Sequence, residues 1–425
     1  MSTPFDALGL SADLLRAISE QGYVEPTPIQ ERCIPLILRG SDLIGRAQTG
    51  TGKTAGFTLP MLQRLNEASA KRVPRGAVRA LILAPTRELA AQVQESVKTY
   101  GRYLRSSSTV VFGGVGFFPQ AKALRRGVDV LIATPGRLLD HVRQGTVDLS
   151  KVEILVLDEG DRMLDMGFIH DIRKILAELP SERQSLLFSA TVSKEVRELA
   201  DRFLRDPVTV QIAASRPTAD NVSQLVHPVD RSRKEALLTH LIGSRDAGKT
   251  LVFCRTKRGA DRLTRNLKRD GICADAIHSD KTQGARTRIL TSFKRGNVDV
   301  LVATDIAARG LDIERLPYVV NYELPHVPED YVHRIGRTGR AGEAGEAVSL
   351  VSSEETELLI AIQRLLSRQI PSEVIPGFEP SSHRGQPRPS RAGGFRRPHR
   401  ANPERRATPP SSKKPRRRAR RRRFA

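Results

Sequence analysis

Two segments of this chain combine residue types and spacing suited to phosphate chemistry: AQTGTGKT at Ala47–Thr54 and DEGD at Asp158–Asp161. A loop that holds a triphosphate needs inward-turned backbone N–H groups, a helix N-terminus aimed at the anion, and a cation. Ala47, Gln48, Thr49, Gly50, Thr51 and Gly52 supply the loop, and Gly50 and Gly52 give it the freedom to wrap phosphates. Lys53 is placed to reach the β/γ-phosphates and the Thr54 hydroxyl to sit on Mg²⁺. The stretch from Thr54 reads into a helix through Met61 and Leu65. The generic pattern has Gly where this chain has Ala47. Gly248-Lys249-Thr250 also spells GKT, but it leads into the strand-like LVFC and opens no helix, so no phosphate role is expected there.

The second segment follows the aliphatic run Ile154, Leu155, Val156, Leu157, which reads as a fully buried parallel strand. Open α/β sheets bind ligands at the carboxyl ends of their strands. Asp158 is therefore expected on the Mg²⁺ side, through water, and Glu159 as the base or positioner of an attacking water.

These segments must be positioned by a larger frame. The 425 residues suffice for two domains with extensions. Residues 31–212 alternate strands and helical patterns, with strands including Ala80–Leu83, Val128–Ala133, Ile154–Leu157 and Ser185–Ser189. Helices are expected over Arg87–Tyr100 and Asp171–Leu179. A second alternating series, 222–370, has strands including Thr250–Cys254, Val298–Ala303 and Tyr318–Asn321, with a helix over Lys257–Asp270. Residues 1–30 precede the first series, and the polar, Pro-containing segment 213–221 reads as a linker. Such alternation implies βαβ units. The expected fold is α/β, two like-built parallel-sheet domains in tandem with a cleft between them.

The second domain lacks a phosphate loop of its own, so its chemistry should come from closure over the first. HRIGRTGR, His333–Arg340, sets three arginines around two glycines. Arg337 and Arg340 are expected to reach the γ-phosphate as arginine fingers in cis. Asp305, at the end of a strand, suits a ribose contact.

The net charge of +23 is uneven. Ser381–Ala425 holds seventeen Lys/Arg against one acid, Glu404, and leaves only +7 to everything before it. The tail, 371–425, is expected to be disordered, because it cannot bury enough apolar surface to offset chain entropy. Its natural partner is a polyanion such as RNA; a solvated tail without a specific partner, or one that binds an acidic protein, are the other readings. No apolar run is long enough for a membrane span, and the N-terminus lacks the features of a secretion signal. Three cysteines, Cys33, Cys254 and Cys273, have no metal-like spacing and suggest a reducing, cytoplasmic setting.

From Phe5 to Pro380 the ordered motifs resemble the DEAD-box RNA helicases, nearest to the bacterial RhlE-type group. GYVEPTPIQ, AQTGTGKT, PTRELA, GG at Gly113–Gly114, TPGR at Thr134–Arg137, DEGD and SAT at Ser189–Thr191 follow the family order. HSDKTQGART, ATDIAARGLDI and HRIGRTGR continue it; QGART and IPGFEP are what point to the RhlE-type group. The resemblance implies two RecA-like domains and an ATP·Mg²⁺-driven enzyme acting on RNA. It implies that Gln30 reads the adenine edge, with Phe5 stacked nearby. Arg87, Gly114, Thr134 and Arg137 would hold the RNA backbone in the first domain, and Gln283, Arg286 and Thr304 in the second. Ser189 and Thr191 would couple hydrolysis to strand separation through Asp161 and His333. Ribosomal precursors and RNA-decay assemblies are the settings it suggests.

Three departures from the family pattern stand out. Gly160 replaces the alanine of DEAD, which spares the three acids but loosens the backbone. Ser279 follows His278 where glycine is usual, and a positive φ there would be strained. Gly116-Phe117-Phe118 follows the GG motif where polar residues are usual; the two rings either stack on RNA bases or pack locally. Two other functions fit the composition: an RNA clamp or annealer with slow turnover driven by the tail, and a DNA-directed motor.

Overall fold

The computed structural model describes residues 5–47, 50–67, 74–212, 222–244, 248–308, 311, 313, 316–339 and 345–381. Gln48, Thr49, Arg340, the expected linker 213–221 and the tail from 382 onward lie outside the described residues.

Among the described residues the first half forms strands β1 (Leu43–Arg46), β2 (Val78–Leu83), β3 (Ser108–Val111), β4 (Val128–Ala133), β5 (Ile154–Leu157), β6 (Gln184–Ser189) and β7 (Val208–Gln211). They make one sheet in the order β3-β4-β2-β5-β6-β1-β7, with every pairing parallel. The second half contributes β8 (Val222–Pro228), β9 (Thr250–Phe253), β10 (Ala274–Ile277), β11 (Val300–Ala303), β12 (Tyr318–Asn321) and β13 (Gly345–Val351). Their order is β10-β11-β9-β12-β13-β8, again parallel throughout.

The aliphatic runs explain this architecture. Successive side chains of a strand point to opposite faces. In β5, Ile154 and Val156 join one core while Leu155 and Leu157 join another. In β9, Val252 enters one core of the second sheet while Leu251 and Phe253 enter the other. Helices must therefore cover both faces of each sheet, as parallel sheets require. Gly248-Lys249-Thr250 leads into β9, as expected for a segment that opens no helix.

Two boundaries differ from expectation. Phe5 and the helix Ala12–Ser19 share the core of the first sheet, so residues 5–30 are continuous with that domain. Residues 371–381, expected in the tail, belong to the second domain. Val226 N donates to the Pro371 carbonyl and Glu373 N to the Val226 carbonyl, each at 2.9 Å. Ile375 and Phe378 pack on the same core, and Arg233 lies 5.0 Å from the Phe378 ring centre.

All three cysteines are free. Burial pushes the Cys33 thiol up to about 12 and raises that of Cys254 further, whereas Cys273 is exposed. Among the described residues no helix is long and apolar enough to cross a membrane.

Candidate functional site

The loop after β1 and the turn after β5 both lie at the carboxyl edge of the first sheet, with β6 between their strands. Gly50 and Gly52 take φ values of 84° and 89°, the left-handed region that side chains resist. Lys53 opens the helix Lys53–Glu67, with Thr54 in its first turn. The Lys53 side chain is buried, and its Nζ donates to the Ala47 carbonyl at 2.8 Å. Gln30 braces the loop from behind: its Nε2 donates to the Gly52 carbonyl at 3.1 Å, and its Oε1 accepts from Thr27 N at 2.9 Å. The second bond belongs to a capping box that closes the N-terminus of helix Pro28–Leu38. A Cβ at Gly52 would stand 2.5 Å from Gln30 Nε2, so glycine is needed for this approach. Phe5, expected to stack near a base, is only 1% exposed inside the core.

Asp158 and Glu159 follow β5 in different environments. Burial pushes the Asp158 carboxyl up to about 7, against the pull of nearby Lys53 and with the push of Glu159. Its Oδ1 is buried without a hydrogen-bond partner. An orphaned buried carboxylate oxygen at the end of a strand, beside a phosphate loop, fits a Mg²⁺ held mainly by water and phosphate oxygens. No group of three or more His, Cys, Asp or Glu that could hold a metal occurs among the described residues. Glu159 sits at φ 55°, uncommon for a residue with a side chain. Its Oε2 accepts from Arg162 Nη1 at 3.0 Å, with both side chains buried.

Asp161 turns towards β6. Its Oδ2 accepts from Thr191 N and Thr191 Oγ1, each at 2.8 Å, and its backbone N donates to Ser189 Oγ at 3.1 Å. Ser189 Oγ in turn donates to the Thr191 carbonyl at 2.7 Å. Burial works to raise the Asp161 carboxyl, but the Thr191 and Ser189 bonds outweigh it and hold it below its ordinary value. Three of the four expected coupling residues thus form one network. His333 lies instead against Asp330, Nδ1 to Oδ1 3.7 Å.

In the second domain Asp305, His333 and Arg337 line one small cavity with Asp330 and Arg334. Asp305 accepts from Arg334 Nε and Nη2 at 2.6 and 2.7 Å, so its expected ribose contact shares the carboxylate with an ion pair. Arg337 is buried, and its Nη1 donates to the Leu311 carbonyl at 2.8 Å.

A groove of about 290 Å³ runs past Arg87, Gly113, Thr134, Arg137, Ser279 and Arg286, drawing on both domains. Gly114 has φ 78°, and a Cβ there would overlap the Arg87 guanidinium. Burial lowers the Arg87 guanidinium from its ordinary value; Glu88 opposes this, while the adjacent Arg286 and Arg137 add to it. Thr134 precedes the helix Pro135–Arg143 without a side-chain capping bond, and Thr304 is buried directly after β11. Gln283 and Arg286, expected on RNA, are committed elsewhere. Arg286 Nε donates to Glu88 Oε1 at 2.7 Å, and Gln283 Nε2 donates to the same oxygen at 3.2 Å. Arg286, buried with its guanidinium also on the carbonyls of His278 and Ala307, joins the two domains while still forming part of the groove wall. Ser279 lines the groove without the positive φ that its position suggested, so no strain weakens the wall there. Glu88, Arg162 and Arg334 had no assigned role from sequence, although PTRELA and HRIGRTGR contain two of them.

Residues 27–199 match the family model described as DEAD/DEAH box helicase, and residues 233–342 the helicase conserved C-terminal domain. The chain is 44% identical over 379 residues to the ATP-dependent RNA helicase DeaD of Escherichia coli, covering 89% of this chain and 59% of that protein. It thus spans less than two thirds of DeaD's length. It is 46% identical to the DEAD-box ATP-dependent RNA helicase CshA of Streptococcus pneumoniae, covering 89% of this chain and 70% of the relative. Among solved structures, Saccharomyces cerevisiae Dbp5 bound to RNA and ADP BeF3 superposes with a TM-score of 0.76 at 33% identity, covering 89% of this chain and 96% of Dbp5. Two tandem RecA-like parallel sheets, the nucleotide-edge network and these matches together establish that the chain belongs to the DEAD-box helicase family.

Proposed function

We propose that this protein is an ATP-dependent RNA helicase that separates short RNA duplexes or remodels RNA–protein complexes, driven by RNA-stimulated ATP hydrolysis. The observation that carries the reading is the Asp158–Glu159–Asp161 turn. It faces Lys53 on one side and is tied through Thr191 and Ser189 to β6 on the other. Bound Mg²⁺ would neutralise developing phosphate charge. The chain's own residues do the rest. Lys53 and the loop amides hold the phosphates, Thr54 and Asp158 hold the ion, Glu159 orients the water, and Arg337 and Arg340 complete the charge stabilisation. Gln30 selects adenine, and Asp305 offers a ribose contact. The groove cations Arg87 and Arg137 suit a phosphodiester backbone, with Gly114 and Thr134 giving it close approach.

In this reading residues 5–212 are the ATP-binding domain and 222–381 the closing domain, with Arg-rich chain beyond retaining RNA nearby. QGART and IPGFEP support placement in the RhlE-type group, whereas the relatives compared bear the names DeaD and CshA. Three free thiols support a cytoplasmic setting, with ribosomal precursors or RNA-decay complexes as candidate substrates.

The test is steady-state ATP hydrolysis with and without a duplex RNA carrying a single-stranded overhang, beside Glu159→Gln. Strong stimulation by RNA that disappears in the variant is expected. RNA binding without stimulated hydrolysis would overturn the helicase reading in favour of a clamp or annealer; equal stimulation by DNA would favour a DNA motor.

A further inference from the structure

Phe117 and Phe118 open the helix Phe117–Leu124, directly after the GG loop, yet they are engaged very differently. The Phe117 ring stacks on His141 with centroids 4.2 Å apart at 17°. Arg137 lies 5.9 Å from its centre, and Nη1 of the same arginine donates to the Val115 carbonyl at 3.1 Å. Phe117 is therefore part of the local packing that ties the GG loop to the helix Pro135–Arg143. Phe118 meets Phe117 edge-on, 6.2 Å between centroids at 86°, and is 84% exposed. Val115 beside it is 40% exposed.

An apolar ring left this open is disfavoured in water unless something covers it. Its setting says what. Arg137, which holds Phe117 and Val115, also lines the groove with Arg87 and Gly113. That groove offers cations and close backbone approach, which suit phosphates, and the one ring among its described lining residues, Phe168, is partly taken up in packing against the core. Phe118 rests edge-on against Phe117, whose ring Arg137 flanks, so the exposed ring is joined to the groove wall through that arginine.

We infer that Phe118 is a stacking platform for one unpaired nucleobase of the RNA strand whose phosphates lie in the groove. This deepens the proposed function and rests on it. Stacking is tolerant of sequence, because every base has a π-face. The contact thus adds grip, and a preference for an unpaired base at one position, without adding a sequence code.

The test uses the full chain and single-stranded RNAs carrying 2-aminopurine at successive positions. With the native protein, one position should be quenched on binding. Phe118→Ala should lose that quenching and weaken RNA binding by about 5- to 140-fold, while Phe118→Trp retains both. An abasic site at the quenched position should weaken the native protein by a similar factor and Phe118→Ala no further. Since Phe118 is exposed, basal ATP hydrolysis should be unchanged in both variants. If Phe118→Ala binds RNA with native affinity and quenching, the inference is wrong, and a protein partner becomes the better occupant. If the native protein binds no RNA at all, the proposed function falls together with it.

Discussion

Glu159 holds a left-handed backbone conformation that costs of order 1–3 kcal/mol for a residue with a side chain, and the buried pair with Arg162 is what holds its carboxylate in place. Glu159→Gln should retain nucleotide binding and lower hydrolysis by about 10²–10⁴-fold, the usual loss of a positioned base; single-turnover kinetics would separate the two steps. Arg162→Ala should lower hydrolysis as well, without touching nucleotide. At Gly160 an alanine Cβ would stand 2.6 Å from Leu187 Cδ1, the movable end of a core side chain. The helix gains up to about 1 kcal/mol from Gly→Ala, so Gly160→Ala should change stability by less than about 1 kcal/mol on chemical denaturation. A much larger loss would show that Leu187 cannot shift. Gly114→Ala has no such relief, because the backbone is left-handed and the Arg87 guanidinium occupies the Cβ position. It should weaken RNA binding in a filter assay and leave basal ATP hydrolysis intact.

Among the elements, the buried pair of Lys234 and Glu355 fastens the helix Lys234–Gly243 to the turn after β13. Lys234 Nζ also donates to the carbonyls of Tyr322 and Leu350. Glu355→Ala would strand a buried ammonium and should cost about 3–5 kcal/mol in urea melts. His141 adds a pH dependence. Burial is the main cause of its depression to about 4, with Arg137 adding to it and Asp140 opposing. The unfolded chain therefore takes up a proton near pH 6.5 that the folded chain refuses until about 4. Stability should fall as pH drops through that window, and His141→Gln should reduce the slope seen by calorimetry. Much of this architecture was legible beforehand. β4, β5 and β12 begin and end where the sequence places them, because each is carried by a mainly aliphatic stretch buried on both faces. β7 was not read, since three of its four side chains are exposed and its sequence carries no such run. The phosphate loop, the acidic turn and the SAT contact to Asp161 were legible because each is local to one sheet edge. The tethering of residues 371–381 was not, because backbone pairing with a strand far earlier in the chain leaves no periodic signal.

Across the whole molecule, the pairing of Glu88 with Gln283 and Arg286 is the feature sequence reasoning could not reach. It depends on how two domains face each other, and motif order says nothing of that. Glu88→Ala would leave Arg286 buried without its carboxylate, at a cost of roughly 2–5 kcal/mol to the closed arrangement. RNA-stimulated hydrolysis should drop while the basal rate persists. Truncation after Ser381 should leave the melting temperature unchanged, weaken RNA affinity and flatten its salt dependence, since fewer counterions are released. The thiols carry a further consequence. With Cys33 and Cys254 sealed in the cores and Cys273 open at the head of β10, a maleimide dye would attach to the native chain at a single place, on the closing domain. Energy transfer from that one dye to a fluorescent nucleotide on the opposite domain would then read out the approach of the two halves turnover by turnover, with no residue replaced.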